Sequence, residues 1–164
     1  MKVIDIFRVA LEMELRGMEF YTSQCSIVKL PLIKEIFEHL ALMEKGHAEY
    51  IRAQIDKIGL GERIETPFAD NSDNLFLERL ASQKIDTSSL KSDLGDYSVV
   101  RMAYLIEKDF ASFYEKSAEG QNDAVMKKTL EMLAAWERGH AEMLKTQLEG
   151  IIERNALDLG FYPF

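Results

Sequence analysis

The sequence predicts an all-α protein: a four-helix bundle made of two helical hairpins, with one long crossover between helices 2 and 3. Three observations predict it. Apolar residues recur at helical spacing, as at Ile4, Phe7, Leu11, Met18 and Cys25. The 164 residues are rich in Leu, Ile, Met, Glu, Lys and Ala and hold only three Pro, a composition that favours helix. A pattern in the first half also returns in the second at a fixed offset of 93 residues.

Helix 1 is expected over about 3–27. Pro31 suits a first helical position, so helix 2 begins near Leu30 to Leu32. Ile33, Ile36, Phe37, Leu40, Met43 and Tyr50 carry it to Ile58, and Gly59 and Gly61 end it. Residues 59–95 read as a long link rich in Asp, Ser and Gly, with a short extra helix at about 72–84 on the apolar edge Leu75, Phe76 and Leu80. Asp96 is the expected N-cap of helix 3, about 97–119. Gly120, Gln121 and Asn122 form a tight turn, with Asn122 capping helix 4 over about 123–153. The length suggests one domain, 1–164: hairpin one at 3–58, the crossover, hairpin two at 96–153, and an apolar tail at 154–164 that docks on this chain or on a partner.

Composition excludes several classes. A net charge of −8 argues against nucleic acid, whose phosphates need a basic face. Cys25 is the only cysteine, so there is neither a disulfide within the chain nor a four-cysteine metal site. Asp5 and Arg8 interrupt any signal-peptide pattern, and no stretch approaches 18 uncharged apolar residues. No membrane partner is expected, and the cytoplasm is the expected location.

The repeat carries the chemistry. Glu14, Tyr21, Glu44 and His47 map onto Glu107, Tyr114, Glu137 and His140 by adding 93. Leu40 to Glu49 aligns with Leu133 to Glu142, and seven of the ten positions are identical, which marks a duplicated hairpin. Glu14 and Glu44 are equidistant from position 29, inside the first turn; Glu107 and Glu137 are equidistant from position 122, inside the second. Antiparallel helices rise together at about 1.5 Å per residue, so each hairpin sets its two Glu level. Glu44 with His47, and Glu137 with His140, stand three apart and share a helix face. Four carboxylates and two imidazoles then converge at mid-bundle. Buried together they repel, and two divalent cations neutralise them. Oxygen and imidazole donors suit iron or manganese, and also zinc.

Two short turns and one long crossover form the ferritin-like arrangement. Glu14 with Phe20-Tyr21, Glu44-x-x-His47, Glu107 with Phe113-Tyr114, and Glu137-x-x-His140 together resemble the ferritin-like superfamily of di-iron carboxylate proteins, and within it the rubrerythrin-like group. The resemblance spans about 3–153. It implies bridging roles for Glu44 and Glu137, terminal roles for Glu14 and Glu107, and one metal for each of His47 and His140. Tyr21 and Tyr114 would hydrogen-bond the carboxylates and orient them, although like Phe20 and Phe113 they also read as core aromatics. Rubrerythrins proper carry a four-cysteine rubredoxin module, and these 164 residues hold no such set. Those proteins also place an extra carboxylate three residues after the terminal Glu of the third helix, where this chain has Phe110. Bacterioferritins bind haem through a Met just after the bridging Glu of helix 2, and here that residue is Lys45.

The activity implied is reduction of hydrogen peroxide or oxygen, a role in oxidative stress, with electrons from a separate donor such as rubredoxin. Ferroxidase or iron-handling activity and non-catalytic di-metal binding are the alternatives, and a homodimer is the expected assembly. Four other features read as ordinary structure. His39 is expected half-exposed, Trp136 packed (or tuning access or electron transfer), Glu49 and Glu142 solvated, and the eight Met as core filler.

Overall fold

Where each helix starts and stops follows from how its terminal backbone groups find partners. The computed structural model describes residues 2–66 and 90–158, with side chains at 2–66 and 94–155. Among these are four helices: α1 (Val3–Gln24), α2 (Pro31–Gly59), α3 (Leu90–Glu119) and α4 (Ala124–Asp158). The expected short helix at 72–84 and the apolar end of the tail lie outside the described residues. Among the described residues, no helix is long and apolar enough to cross a membrane.

The α1 helix buries Ile6, Phe7, Ala10, Glu14, Gly17 and Tyr21, a single stripe at helical spacing. It ends at Gln24, three residues earlier than the periodicity predicts, and Cys25 donates its N–H back to the Tyr21 carbonyl at 3.1 Å. Pro31 opens α2, where its missing N–H costs nothing. At the far end Gly61 takes φ +75°, a left-handed turn that lets Glu62 donate to the Lys57 carbonyl at 2.9 Å.

Two caps differ from the sequence expectation. Asp96 does not start α3, which begins at Leu90. It lies inside that helix, and its buried carboxylate accepts the N–H of Lys29 at 2.9 Å and of Leu30 at 2.6 Å. A residue with good capping chemistry thus caps the entry to α2 from across the bundle. The crossover is correspondingly shorter than 59–95, since its last residues belong to α3. Helix α4 is capped by Asp123 rather than Asn122: Met126 donates its N–H to Asp123 Oδ1 at 2.8 Å. It then runs to Asp158, past the expected 153.

The α1 and α2 helices pack as one hairpin, α3 and α4 as the other, and α1 meets α3 across the bundle. The core divides into two apolar clusters. One gathers Ile33, Phe37, Leu40, Val100 and Leu144 around Tyr21. The other gathers Phe7, Ile51, Met126, Leu130 and Leu133 around Tyr114. A fully buried side chain of this size contributes about 1.5–3 kcal/mol, and these offset a polar layer between the two clusters that would otherwise be hard to keep dry.

Candidate metal centre

That polar layer is the duplicated pattern. Glu14, Glu44, Glu107 and Glu137 are fully buried, and His47 and His140 nearly so. Glu14 comes from α1, Glu44 and His47 from α2, Glu107 from α3, Glu137 and His140 from α4. Both imidazoles aim Nδ1 inward. His47 Nδ1 lies 3.2 Å from Glu137 Oε1, 3.3 Å from Glu14 Oε2 and 3.9 Å from Glu44 Oε2. His140 Nδ1 lies 3.3 Å from Glu107 Oε2, 3.4 Å from Glu137 Oε2 and 3.5 Å from Glu44 Oε1. The rings themselves are parallel within 6°, with centroids 5.5 Å apart.

The donors divide into two overlapping groups. Glu14, Glu44, His47 and Glu137 each place one donor atom within 4.8 Å of the others; Glu44, Glu107, Glu137 and His140 do the same. Glu44 and Glu137 belong to both groups, one from each hairpin. Neither oxygen of Glu44 or of Glu137 has a hydrogen-bond partner among the described residues, nor does buried His140 Nε2. Polar atoms so buried are ordinarily satisfied. Four orphaned carboxylate oxygens at the centre of a dry layer fit a pair of cations between them, so the buried cluster suits a di-metal site.

Charge gives the same answer. Burial and the surrounding charges of Glu137, Glu107 and Glu14 push the Glu44 carboxyl well above its usual range. Burial raises Glu107 to about 7 against the opposing pull of His140. Burial acts likewise on Glu137, but His47 and His140 hold it well below the usual range. Burial would lower His47, yet Glu137 and Glu14 carry it up to about 9, and Glu107 and Glu137 drive His140 up in the same sense. Without metal, the cluster recruits protons to offset its negative charge.

The two tyrosines do more than fill space. The Tyr21 hydroxyl donates to Glu107 Oε1 and the Tyr114 hydroxyl to Glu14 Oε1, so each phenol serves the carboxylate of the opposite hairpin. Burial first, then the facing carboxylates, keep both phenols protonated well beyond their ordinary range.

Three features near the cluster escape the repeat argument. Phe110, where the resemblance implies a carboxylate, is buried against Gly17: a Cβ on Gly17 would lie 3.2 Å from Phe110 Cε2 and 3.3 Å from Glu44 Oε2. Gly17 and Phe110 are themselves related by the offset of 93, a pairing that the spacing alone could have revealed. Trp136, half-buried, lies flat on His47, with ring centroids 4.9 Å apart and planes 11° from parallel. His39 is half-exposed, and Glu49 and Glu142 face solvent, as expected.

Fold and centre together define a ferritin-like helical bundle whose buried carboxylates and imidazoles fit a di-metal site. The chain belongs to the rubrerythrin family, whose model matches residues 5–148. No curated protein matches it. Among solved structures it is similar to a hypothetical protein from Pyrococcus furiosus, at 22% identity and TM-score 0.68, covering 93% of this chain and 92% of that one. It is also similar to a dodecameric thioferritin, the bacterioferritin-related protein from Bacteroides fragilis, at 20% identity and TM-score 0.64, covering 98% of this chain and 90% of that one. At these identities the two structures bear on the fold alone.

Proposed function

We propose that the protein is a di-iron carboxylate oxidoreductase that reduces hydrogen peroxide or oxygen with electrons from a separate donor such as a rubredoxin. The observation that carries this reading is the pair of buried four-donor groups sharing Glu44 and Glu137, in a chain of the rubrerythrin family. Glu44 and Glu137, common to both donor groups, would serve both irons, Glu14 and Glu107 would serve one each, and His47 and His140 would offer Nδ1. Bound iron would supply the redox chemistry, the two electrons that with two protons turn one peroxide into two waters, and the separate donor would restore them. The chain's own part is to hold the donors in place. Tyr21 and Tyr114 orient the terminal carboxylates, and the apolar clusters on either side keep bulk water out. Phe110 walls the corner beside Glu44 with an apolar ring.

The test is anaerobic reconstitution with ferrous iron followed by peroxide. Oxidation of bound iron should outrun that of free iron, and equal rates would remove the proposal. Metal analysis of protein purified without supplements adds a check, because zinc or manganese in place of iron points to a binding role without this turnover.

A second reading is iron handling, with the same centre oxidising ferrous iron as its substrate. The same buried oxygen and imidazole donors suit ferrous iron as a substrate, which favours it. Gel filtration separates the two, since storage requires a large shell and the first reading is satisfied by a homodimer.

A further inference from the structure

The six donors obey the repeat, but their surroundings do not. Trp136 aligns with Met43, and it is the only tryptophan in the chain. An indole therefore flanks His47, and no second indole exists to flank His140. Trp136 belongs to α4 and His47 to α2, so the stack crosses from one hairpin to the other.

The consequence lies in ring orientation. The last torsion of a histidine is broad and roughly two-fold, so it does not by itself fix which ring atom faces a metal. Metal-binding histidines are usually held by a hydrogen bond on the second ring nitrogen. For His47 a flat wall at 4.9 Å and 11° restrains the plane of the ring, since turning it out of plane would drive it into the indole. His140 has only the His47 ring beside it, at 5.5 Å, and its Nε2 is buried without a hydrogen-bond partner among the described residues. His47, between two rings, is more pre-organised than His140, which has one, and a donor fixed in advance loses less freedom on binding.

We infer that Trp136 is a positioning residue that makes the two metal positions unequal: the group containing Glu14 and His47 fills first and holds its ion more tightly, and the group containing Glu107 and His140 fills second. This rests on the di-metal reading above and assigns an order within it.

Titration of metal-free protein with Co2+ tests it, because an ion on His47 lies close enough to quench the single indole. Two ions should bind in two resolved steps, with the tryptophan fluorescence lost in the first. Cobalt absorbance follows the variants. W136L should weaken the first step by about ten- to hundredfold and merge it with the second, whereas W136F, which keeps a flat ring, should retain two steps. Quenching that tracks the second ion, or is spread evenly over both, overturns the order while leaving the di-metal reading intact. A two-step curve unchanged in W136L overturns the role of Trp136. Failure to bind two ions at all overturns the inference together with the reading beneath it.

Discussion

The Tyr21 hydroxyl, on α1, donates a hydrogen bond to the Glu107 carboxylate on α3, and so ties the first hairpin to a donor of the second. Tyr114 returns the bond to Glu14. Glu14 and Glu107 each lie beside a His of their own hairpin and also take a hydrogen bond from a phenol of the other.

Tyr21→Phe should therefore disturb the centre more than the fold. The ring keeps its packing against Phe37, but Glu107 loses a donor, which costs about 1.5–3 kcal/mol for a hydrogen bond to a charged group. Metal affinity should fall about tenfold, measured by cobalt titration, with an unchanged far-ultraviolet spectrum. Wild-type affinity in the variant would reduce Tyr21 to a space-filler.

Protonation gives a signed pH dependence. His47 has an ordinary value of 6.5 and is carried up to about 9, because the adjacent charges of Glu137 and Glu14 outweigh burial. A group raised on folding contributes stability that is complete below its unfolded value and is lost as pH climbs through its folded value. His140, Glu44 and Glu107 are raised too and act in the same sense. The metal-free protein should thus melt at progressively lower temperature as pH rises from about 6.5 to about 9. Metal affinity should rise over the same window, because binding must expel the imidazole protons. Melting curves with and without metal measure both, and a metal-free protein that gains stability with rising pH would contradict the assignment.

Asp96 is a separate structural lever. Its carboxylate accepts the N–H groups of Lys29 and Leu30 and is buried. Asp96→Ala leaves these donors without a partner and should lower stability by about 1.5–3 kcal/mol in urea unfolding. Asp96→Asn should recover part of this. Metal stoichiometry should be unchanged in both, since neither variant touches a donor of the centre.

Gly17→Ala separates packing from propensity. Alanine improves helix propensity by about 1 kcal/mol, but its methyl would sit 3.2 Å from Phe110 Cε2 and 3.3 Å from Glu44 Oε2, both buried. Stability should stay within about 1 kcal/mol of the parent, while metal affinity falls as Glu44 is pushed from its place. Full affinity in the variant would mean that Glu44 has room to move.

The centre was legible because a duplication repeats its donors at one offset: Glu14 with Glu107, Glu44 with Glu137 and His47 with His140 can be paired without knowing the fold. The helices were legible wherever apolar periodicity ran unbroken. What failed was local. Asp96 has the chemistry of a cap, and sequence cannot say that its partner is Leu30, more than sixty residues away. Asn122 and Asp123 are equally good caps, and only hydrogen-bond geometry chooses Asp123. Spacing put Tyr21 on the face of Glu14, but its bond to Glu107 depends on how the hairpins dock. Trp136 on His47 is likewise a contact between helices that no single helix encodes.

Each four-donor group draws on both halves of the molecule: Glu14, Glu44 and His47 on one side with Glu137 on the other, and Glu107, Glu137 and His140 with Glu44 in return. An ion held there acts as a rivet through the seam. Stripping it should loosen the protein along that seam, the halves parting as intact helical pairs before any single helix frays.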